Sequence, residues 1–451
     1  MTDMGVGARR PTRSALRKML PGSPWTAIRT AWDQHRDLLG NAGSLVMSTG
    51  VASLLGVVYW VVATRLFSQR AVGYASAAVS AMTLLGTIGM LGLGTLLIGE
   101  LPRRRGGGRA GLVAAALLTC GLGSLLLGLG FAVVAPRVSA SFATMIGTPA
   151  RGLLFAAGVA VTAVTLVFDQ ATIGLMRGSL QLGRNIAFAV VKVAVLPATA
   201  IVLHDQLGVG ITLSWVAGLA LSLALIAIRL RLGGEPVLPR PDWRVLRGLG
   251  RSAMAHNWLN LAMTMPFYLL PVLVTVIVSP TANAAFYIAV MLTTFLFIVP
   301  AHLATVLFAV VAADPGVVAR KLRFALRVSF LIGLPGMAVL IAGAHLALGL
   351  FGKGYTVATV PMWLITLGYP AAVPKSLYIA VYRASGQIAR AAVVLSACSA
   401  LEISAAAVGG AVGGLFGLSL ALLVVRYAEA LVTAPPVLRA AYGRNRVTAQ
   451  R

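Results

Sequence analysis

Acidic residues are scarce in this sequence: 11 Asp and Glu stand among 451 residues, against 37 Lys and Arg. Charges of both signs together make up only 11%. A soluble chain of this length needs far more charge to cover its surface, so water is excluded as its solvent. Cysteine is nearly absent too. Cys120 and Cys398 both lie inside apolar segments, which excludes a disulfide framework and a thiolate metal site. The five histidines are scattered, without metal-ligand spacing. No Walker-type phosphate loop occurs, so direct drive by a nucleotide is not expected. No nucleophile–base pairing is visible either. The chain therefore reads as a non-enzyme with no metal and no cofactor. No short apolar core with a small-residue cleavage site precedes the first long apolar segment, so no cleaved leader is expected.

What the sequence has in abundance is apolar length. Hydrophobic residues are 59% of the chain and the mean hydropathy is +0.90. They fall in runs of roughly 20 residues, the length that crosses about 30 Å of hydrocarbon. With 49 glycines and few aromatics, close helix packing in lipid is expected. The predicted fold is all-α and polytopic, with about twelve transmembrane helices. Among the predicted spans, helix two covers Tyr74–Ile98, helix four Gly152–Gly174 and helix five Ile186–Leu203. Helix nine covers Val328–Phe351, helix ten Ala358–Ile379 and helix eleven Ile388–Val408.

The net charge of +26 would suggest nucleic acid in a soluble protein. Here it sits in loops and orients the helices, so no nucleic-acid partner is expected. With the N-terminus inside, the predicted inner segments hold 30 Lys and Arg and the outer loops hold 5. That asymmetry predicts a multi-pass protein of the inner or plasma membrane with both termini cytoplasmic. The outer loops are short; the longest, around Arg137–Arg151, has no room for a catalytic domain.

The two halves repeat. After helix four the chain reads Arg177-Gly-Ser-Leu-Gln-Leu-Gly-Arg184, and after helix ten Arg383-Ala-Ser-Gly-Gln-Ile-Ala-Arg390. Six helices per half is an even number, so the repeats enter the membrane in the same direction and are parallel, with substrate expected between them. The predicted organisation is a basic cytoplasmic arm (1–40), a six-helix bundle (41–230), a cytoplasmic linker (231–253), a second six-helix bundle (254–435) and a cytoplasmic tail (436–451).

Three stretches carry a resemblance. One is Ala63-Thr64-Arg65-Leu66-Phe67-Ser68, leading through Val72-Gly73-Tyr74 into helix two. The second is Arg383–Gln387, and the third is Tyr287-Ile-Ala followed by Val299-Pro300-Ala301 in helix eight. With the topology and the repeat, over residues 40–435, the chain resembles the multidrug/oligosaccharidyl-lipid/polysaccharide exporter superfamily, and within it the polysaccharide flippases related to the O-antigen flippase. The resemblance implies movement of a lipid-linked oligosaccharide on a polyprenyl-type lipid from the cytoplasmic to the outer leaflet, for cell-surface polysaccharide. The implied partners are that lipid, the membrane lipids and polysaccharide-assembly proteins. The rival of the same fold is an ion-coupled multidrug or small-molecule exporter. Such an exporter should hold acidic residues in the first-half cavity, and predicted helices one to three have none. A membrane polymerase or ligase would need a large outer loop.

Ionisable residues inside a bilayer are functional candidates by default. Asp169 and Lys192 lie at similar predicted depth on adjacent antiparallel helices and are expected to form an intramembrane ion pair. Arg426 and Glu429, three apart on one helix, are expected to satisfy each other. Glu402 has no predicted partner at its depth, which makes it the candidate for ion coupling. Asn41 and Ser44 of helix one, His256, Asn257 and Asn260 of helix seven, and His302 of helix eight are the candidates for lining a substrate vestibule. Asn and Ser at such positions also serve as ordinary interhelical contacts.

Overall fold

The structure is a computed structural model, and it describes residues 53–104, 107–203, 206–234, 240–313, 318–385 and 387–443. In hydrocarbon every backbone polar group needs a partner within the chain, and the apolar runs satisfy this as helices. The first half holds α1 (Ser53–Leu66), α2 (Gln69–Gly89), α3 (Leu93–Glu100), α4 (Gly107–Val138), α5 (Ala140–Ile146), α6 (Pro149–Gly174), α7 (Gly178–Leu203) and α8 (Val209–Leu232). The second half holds α9 (Trp243–Leu273), α10 (Pro280–Ala313), α11 (Val318–Gly349), α12 (Thr359–Leu367), α13 (Tyr369–Ala384) and α14 (Ile388–Tyr442). A π-turn (Val274–Val278) ends α9, and a 3₁₀ turn (Lys353–Ala358) precedes α12.

Among the described residues, nine helices are long and apolar enough to cross a membrane, and α12 with α13 makes a tenth span bent by 47°. The 55-residue α14 is two crossings joined by a reversal at Gly413 and Gly414. Gly414 has φ 57° and ψ −141°, a conformation closed to residues with a Cβ. With α1, whose start lies outside the described residues, the chain accounts for about twelve crossings. It is an all-α multi-pass membrane protein.

Helix two is not the continuous span predicted. It breaks between α2 and α3, where Leu91 and Gly92 have φ of 51° and 73°. The Met90 carbonyl at the break accepts from Leu93 N at 2.9 Å and from Cys120 Sγ at 3.3 Å. The octet Arg177–Arg184 straddles the start of α7, and its echo spans the turn from α13 to α14. Each therefore marks the passage from the fourth to the fifth crossing of its half.

The halves meet where α2 packs on α9 and α10. Gly73 of α2 lies so close to Pro280 of α10 that a Cβ there would run into the Pro280 carbonyl. Asn283 donates from Nδ2 to Gly73 O at 2.9 Å and to Ser76 Oγ at 3.0 Å. Gln69 Nε2 donates to the carbonyls of Thr281 and Gly354, both at 3.1 Å. Arg65 Nη2 donates to Leu350 O at 2.8 Å. Deeper in, Trp60 of α1 meets Tyr287 of α10 with ring centroids 4.9 Å apart. Several residues that carry the resemblance, Arg65, Gly73 and Tyr287, thus belong to one seam between the halves, at the face predicted to be external.

Candidate functional site

Three segments of the second half bring four charges together inside the helix bundle. Lys375 comes from α13, Glu402 from the first arm of α14, and Arg426 and Glu429 from its returning arm. Isolated charges in hydrocarbon cost several kcal/mol, so they persist where they neutralise one another or meet water. Lys375 Nζ donates to Glu402 Oε1 at 2.9 Å and to Glu429 Oε2 at 2.8 Å. Arg426 Nη1 donates to Ile365 O at 3.3 Å, and its guanidinium carbon stands 5.5 Å from the Phe297 ring centroid. Ile365 lies in the last turn of α12, where the bend at Gly368 leaves carbonyls without the next helical turn.

These side chains form the polar wall of a cavity of about 240 Å³. The apolar wall includes Phe267 and Leu270 of α9 with Phe286 and Phe297 of α10, and Thr293 and Thr294 add hydroxyls. The cavity therefore borders the two second-half helices that meet α2. Glu402 and Glu429 are buried and Lys375 is partly exposed toward the cavity. Oε1 of Glu429 has no hydrogen-bond partner among the described residues. The set is charge-balanced, with two cations and two carboxylates. Lys375 is a single cation shared by two acids, so protonating either acid replaces one of its two charge-assisted bonds with a weaker neutral one.

This arrangement corrects two expectations. Glu402 is not without a partner. Helix α13 continues to Ala384, five residues past the predicted end, which places Lys375 roughly 8 Å deeper than expected. Nor do Arg426 and Glu429 satisfy each other: Glu429 bonds to Lys375, and Arg426 turns to Ile365 and Phe297.

The first half corrects a third. Asp169 does not pair with Lys192. It is held by Arg184, with Nε to Oδ1 at 2.9 Å and Nη2 to Oδ2 at 2.8 Å. By hydropathy Arg184 falls in the loop before the predicted Ile186, but α7 starts eight residues earlier, at Gly178, and carries Arg184 on the helix. The planar fork of Arg meets both carboxylate oxygens at once, which the single ammonium of Lys cannot do. Lys192 lies instead among aromatic rings, 4.4 Å from the centroids of Phe188 and Trp215 and 4.7 Å from that of Tyr59. Ring faces carry partial negative charge and hold a cation without a carboxylate.

Of the vestibule candidates, Asn41 and Ser44 lie outside the described residues, as does the side chain of His256. Asn257 is buried, with Oδ1 lacking a hydrogen-bond partner among the described residues. Asn260 donates from Nδ2 to Thr95 Oγ1 of α3 at 3.0 Å, so it bridges the halves. His302 is partly buried on α10. The structure brings Asn260 to the interface between the halves, while the cluster lies within the second half. Sequence reasoning missed the cluster, although the charge balance of the last three crossings carried a signal for it: two cations and two acids on adjacent spans.

No family model matches the sequence, and no curated protein matches it. Solved structures do resemble it. A multidrug-resistance MATE transporter of the MOP superfamily, in an inward-facing conformation, superposes with a TM-score of 0.65 at 14% identity, over 84% of this chain and 94% of its own. The lipid II flippase MurJ, in an inward closed conformation, gives 0.60 at 13% identity, over 88% of this chain and 89% of its own. The MATE transporter VcmN of Vibrio cholerae gives 0.56 at 14% identity, over 90% of this chain and 99% of its own. At these identities the likeness is one of fold: the chain shares the fold of these transporters.

Proposed function

We propose that this chain is a transporter that flips a lipid-linked oligosaccharide across the inner or plasma membrane, as O-antigen-type polysaccharide flippases do. Both termini are cytoplasmic in this reading, and the six-helix bundles 41–230 and 254–435 close on the cargo in turn. The cargo is an anionic polyprenyl phosphate or pyrophosphate carrying sugar. Its partners are membrane lipids and the proteins that assemble surface polysaccharide. No catalytic step is assigned.

One observation carries the choice of cargo: the sign of charge inside the first half. Predicted helices one to three hold no acidic residue, and Asp169 is neutralised by Arg184. Lys192 is buried among three rings with no carboxylate beside it among the described residues, so the interior of the first half is basic. A basic interior favours a phosphate-bearing headgroup and opposes a cationic drug. The fold alone does not separate the two, because MATE exporters and MurJ share it. In this reading Asn41, Ser44, His256, Asn257, Asn260 and His302 donate to the headgroup, and Glu402 couples its movement to an ion gradient through Lys375 and Glu429.

The test is reconstitution in liposomes. A fluorescent polyprenyl-pyrophosphoryl oligosaccharide should become accessible to an impermeant quencher at least tenfold faster with the protein than without, a barrier decrease of about 1.4 kcal/mol. Efflux of a cationic dye should stay at background. Dye efflux without lipid flipping would replace this reading with that of a drug exporter.

A further inference from the structure

Helix α11 carries a stripe that the proposed function does not use. Arg320, Arg323, Arg327, Leu331 and Leu334 follow at spacings of three and four, which places them on one face of the helix. The stripe changes from basic to apolar along its length. The helix has 32 residues, so it is about 48 Å long and exceeds the hydrocarbon thickness of about 30 Å. With Gly349 at one hydrocarbon boundary, the other falls about twenty residues back, near Ser329. The arginines then stand in the headgroup layer and the leucines among the acyl chains.

This stripe forms one wall of an open groove of about 770 Å³. Arg327, Phe330, Leu331 and Leu334 line it from α11, and Leu438 and Tyr442 line it from the end of α14. Arg323 fixes the groove's end: Nη1 donates to Ala441 O at 2.6 Å, and its guanidinium carbon lies 5.9 Å from the Tyr442 ring centroid. Leu331 is 76% exposed and Leu438 48%. Among the described residues no carboxylate pairs with Arg320 or Arg327, and Arg439 of α14 adds a further exposed cation nearby. Helix α11 packs on α10, α12, α13, α14 and the 3₁₀ turn of the second half. It also meets the first half, but at its far end, where Ala344 and Leu348 share a core with Tyr59 and Trp60 of α1. The groove, lined by Leu326–Pro335 of α11 and the end of α14, lies at the opposite end of the helix, away from that contact, and opens to the surrounding bilayer.

We propose that this groove is a binding site for an anionic phospholipid of the bilayer, its phosphate held by Arg327 beside Arg320 and Arg323, with one acyl chain along Leu331 and Leu334. Charge complementarity selects the occupant: basic residues at the headgroup level attract anionic lipid and give no advantage to a zwitterionic one. The length of the apolar portion suits a chain that runs from the phosphate layer into the hydrocarbon.

Native mass spectrometry of the full-length protein tests this, after incubation with phosphatidylglycerol or phosphatidylcholine. Wild type should retain phosphatidylglycerol preferentially. Arg327→Gln should reduce that retention about fivefold, the effect of one basic residue at a membrane surface. Arg327→Lys should keep most of it. Leu334→Trp fills the groove and should reduce retention with every arginine in place. Equal retention of the two lipids by wild type overturns the proposal, and that result does not depend on any variant folding. So does unchanged retention in both Arg327→Gln and Leu334→Trp. Displacement of phosphatidylglycerol by equimolar undecaprenyl phosphate would also overturn it, assigning the groove to an isoprenoid lipid. Flipping of the cargo, measured separately, does not bear on this result.

Discussion

Lys375 shows how one side chain can decide whether a buried polar site is stable. It is the shared cation of Glu402 and Glu429, with both bonds under 3 Å. Removing one partner of a buried pair costs about 3–5 kcal/mol, because it leaves an uncompensated charge. Lys375→Met leaves two acids together, with Arg426 the only other cation lining the cavity among the described residues. Two neighbouring carboxylates that lose their cation share a proton, which the unfolded chain would release at neutral pH. The folded variant then binds more protons than the unfolded one, so its stability falls as pH rises. Lys375→Met should unfold at a lower temperature than wild type in detergent at pH 7.5, and the gap should narrow at pH 5.5. Adding Glu402→Gln and Glu429→Gln to Lys375→Met should recover part of the loss at pH 7.5. A gap that does not change with pH would show that the acids are solvated and do not depend on Lys375.

At the scale of elements, the contact of α2 with α10 depends on the missing side chain at Gly73. Backbone against backbone, the contact is sealed by the bonds of Asn283 and Gln69. Cysteines at Gln69 and Gly354 should cross-link readily, since Gln69 already bonds to the Gly354 carbonyl. Adding Gly73→Val should lower the cross-linking yield several-fold by forcing the Pro280 backbone away. An unchanged yield would mean that the seam does not rest on Gly73. The existence of these helices was legible in the sequence because hydropathy reports every segment that lies in hydrocarbon. Their ends were not, because helices continue through the headgroup layer where arginine is tolerated. Thus α7 begins at Gly178 and α11 at Val318, eight and ten residues before their predicted starts. Those hidden turns changed the site: they carry Arg184 to Asp169, and the extension of α13 carries Lys375 to Glu402. Depth along a helix can be read from residue counts, but side-chain partners depend on helical phase and on bends such as that at Gly368. The break at Leu91–Gly92 was illegible for a different reason, since a left-handed leucine leaves no mark in composition.

For the whole molecule, the question is how an event in the second half reaches the seam between the halves. The cluster cavity is walled by α9 and α10, and these are the helices that pack on α2. Pro266 of α9 lies on that wall, and with Pro271 and the π-turn that follows it interrupts the backbone hydrogen bonds of the helix. A change in charge at Glu402 or Glu429 alters what Lys375 holds and thereby the packing of α13 and α14 behind α9. In the proposed function, uphill movement of cargo draws on an ion gradient, and Glu402 and Glu429 are the acids proposed to take up the ion. Glu402→Gln tests this link with little disturbance. The amide keeps the volume and an oxygen for Lys375, and Glu429 retains its own bond to Lys375, so the variant should insert and fold. It can no longer gain and lose a proton. If Glu402 couples, cargo flipping in proteoliposomes should be accelerated several-fold by an imposed pH gradient in wild type and be insensitive to that gradient in Glu402→Gln. A variant that responds to the gradient as wild type does would remove Glu402 from the coupling and leave it as a structural partner of Lys375.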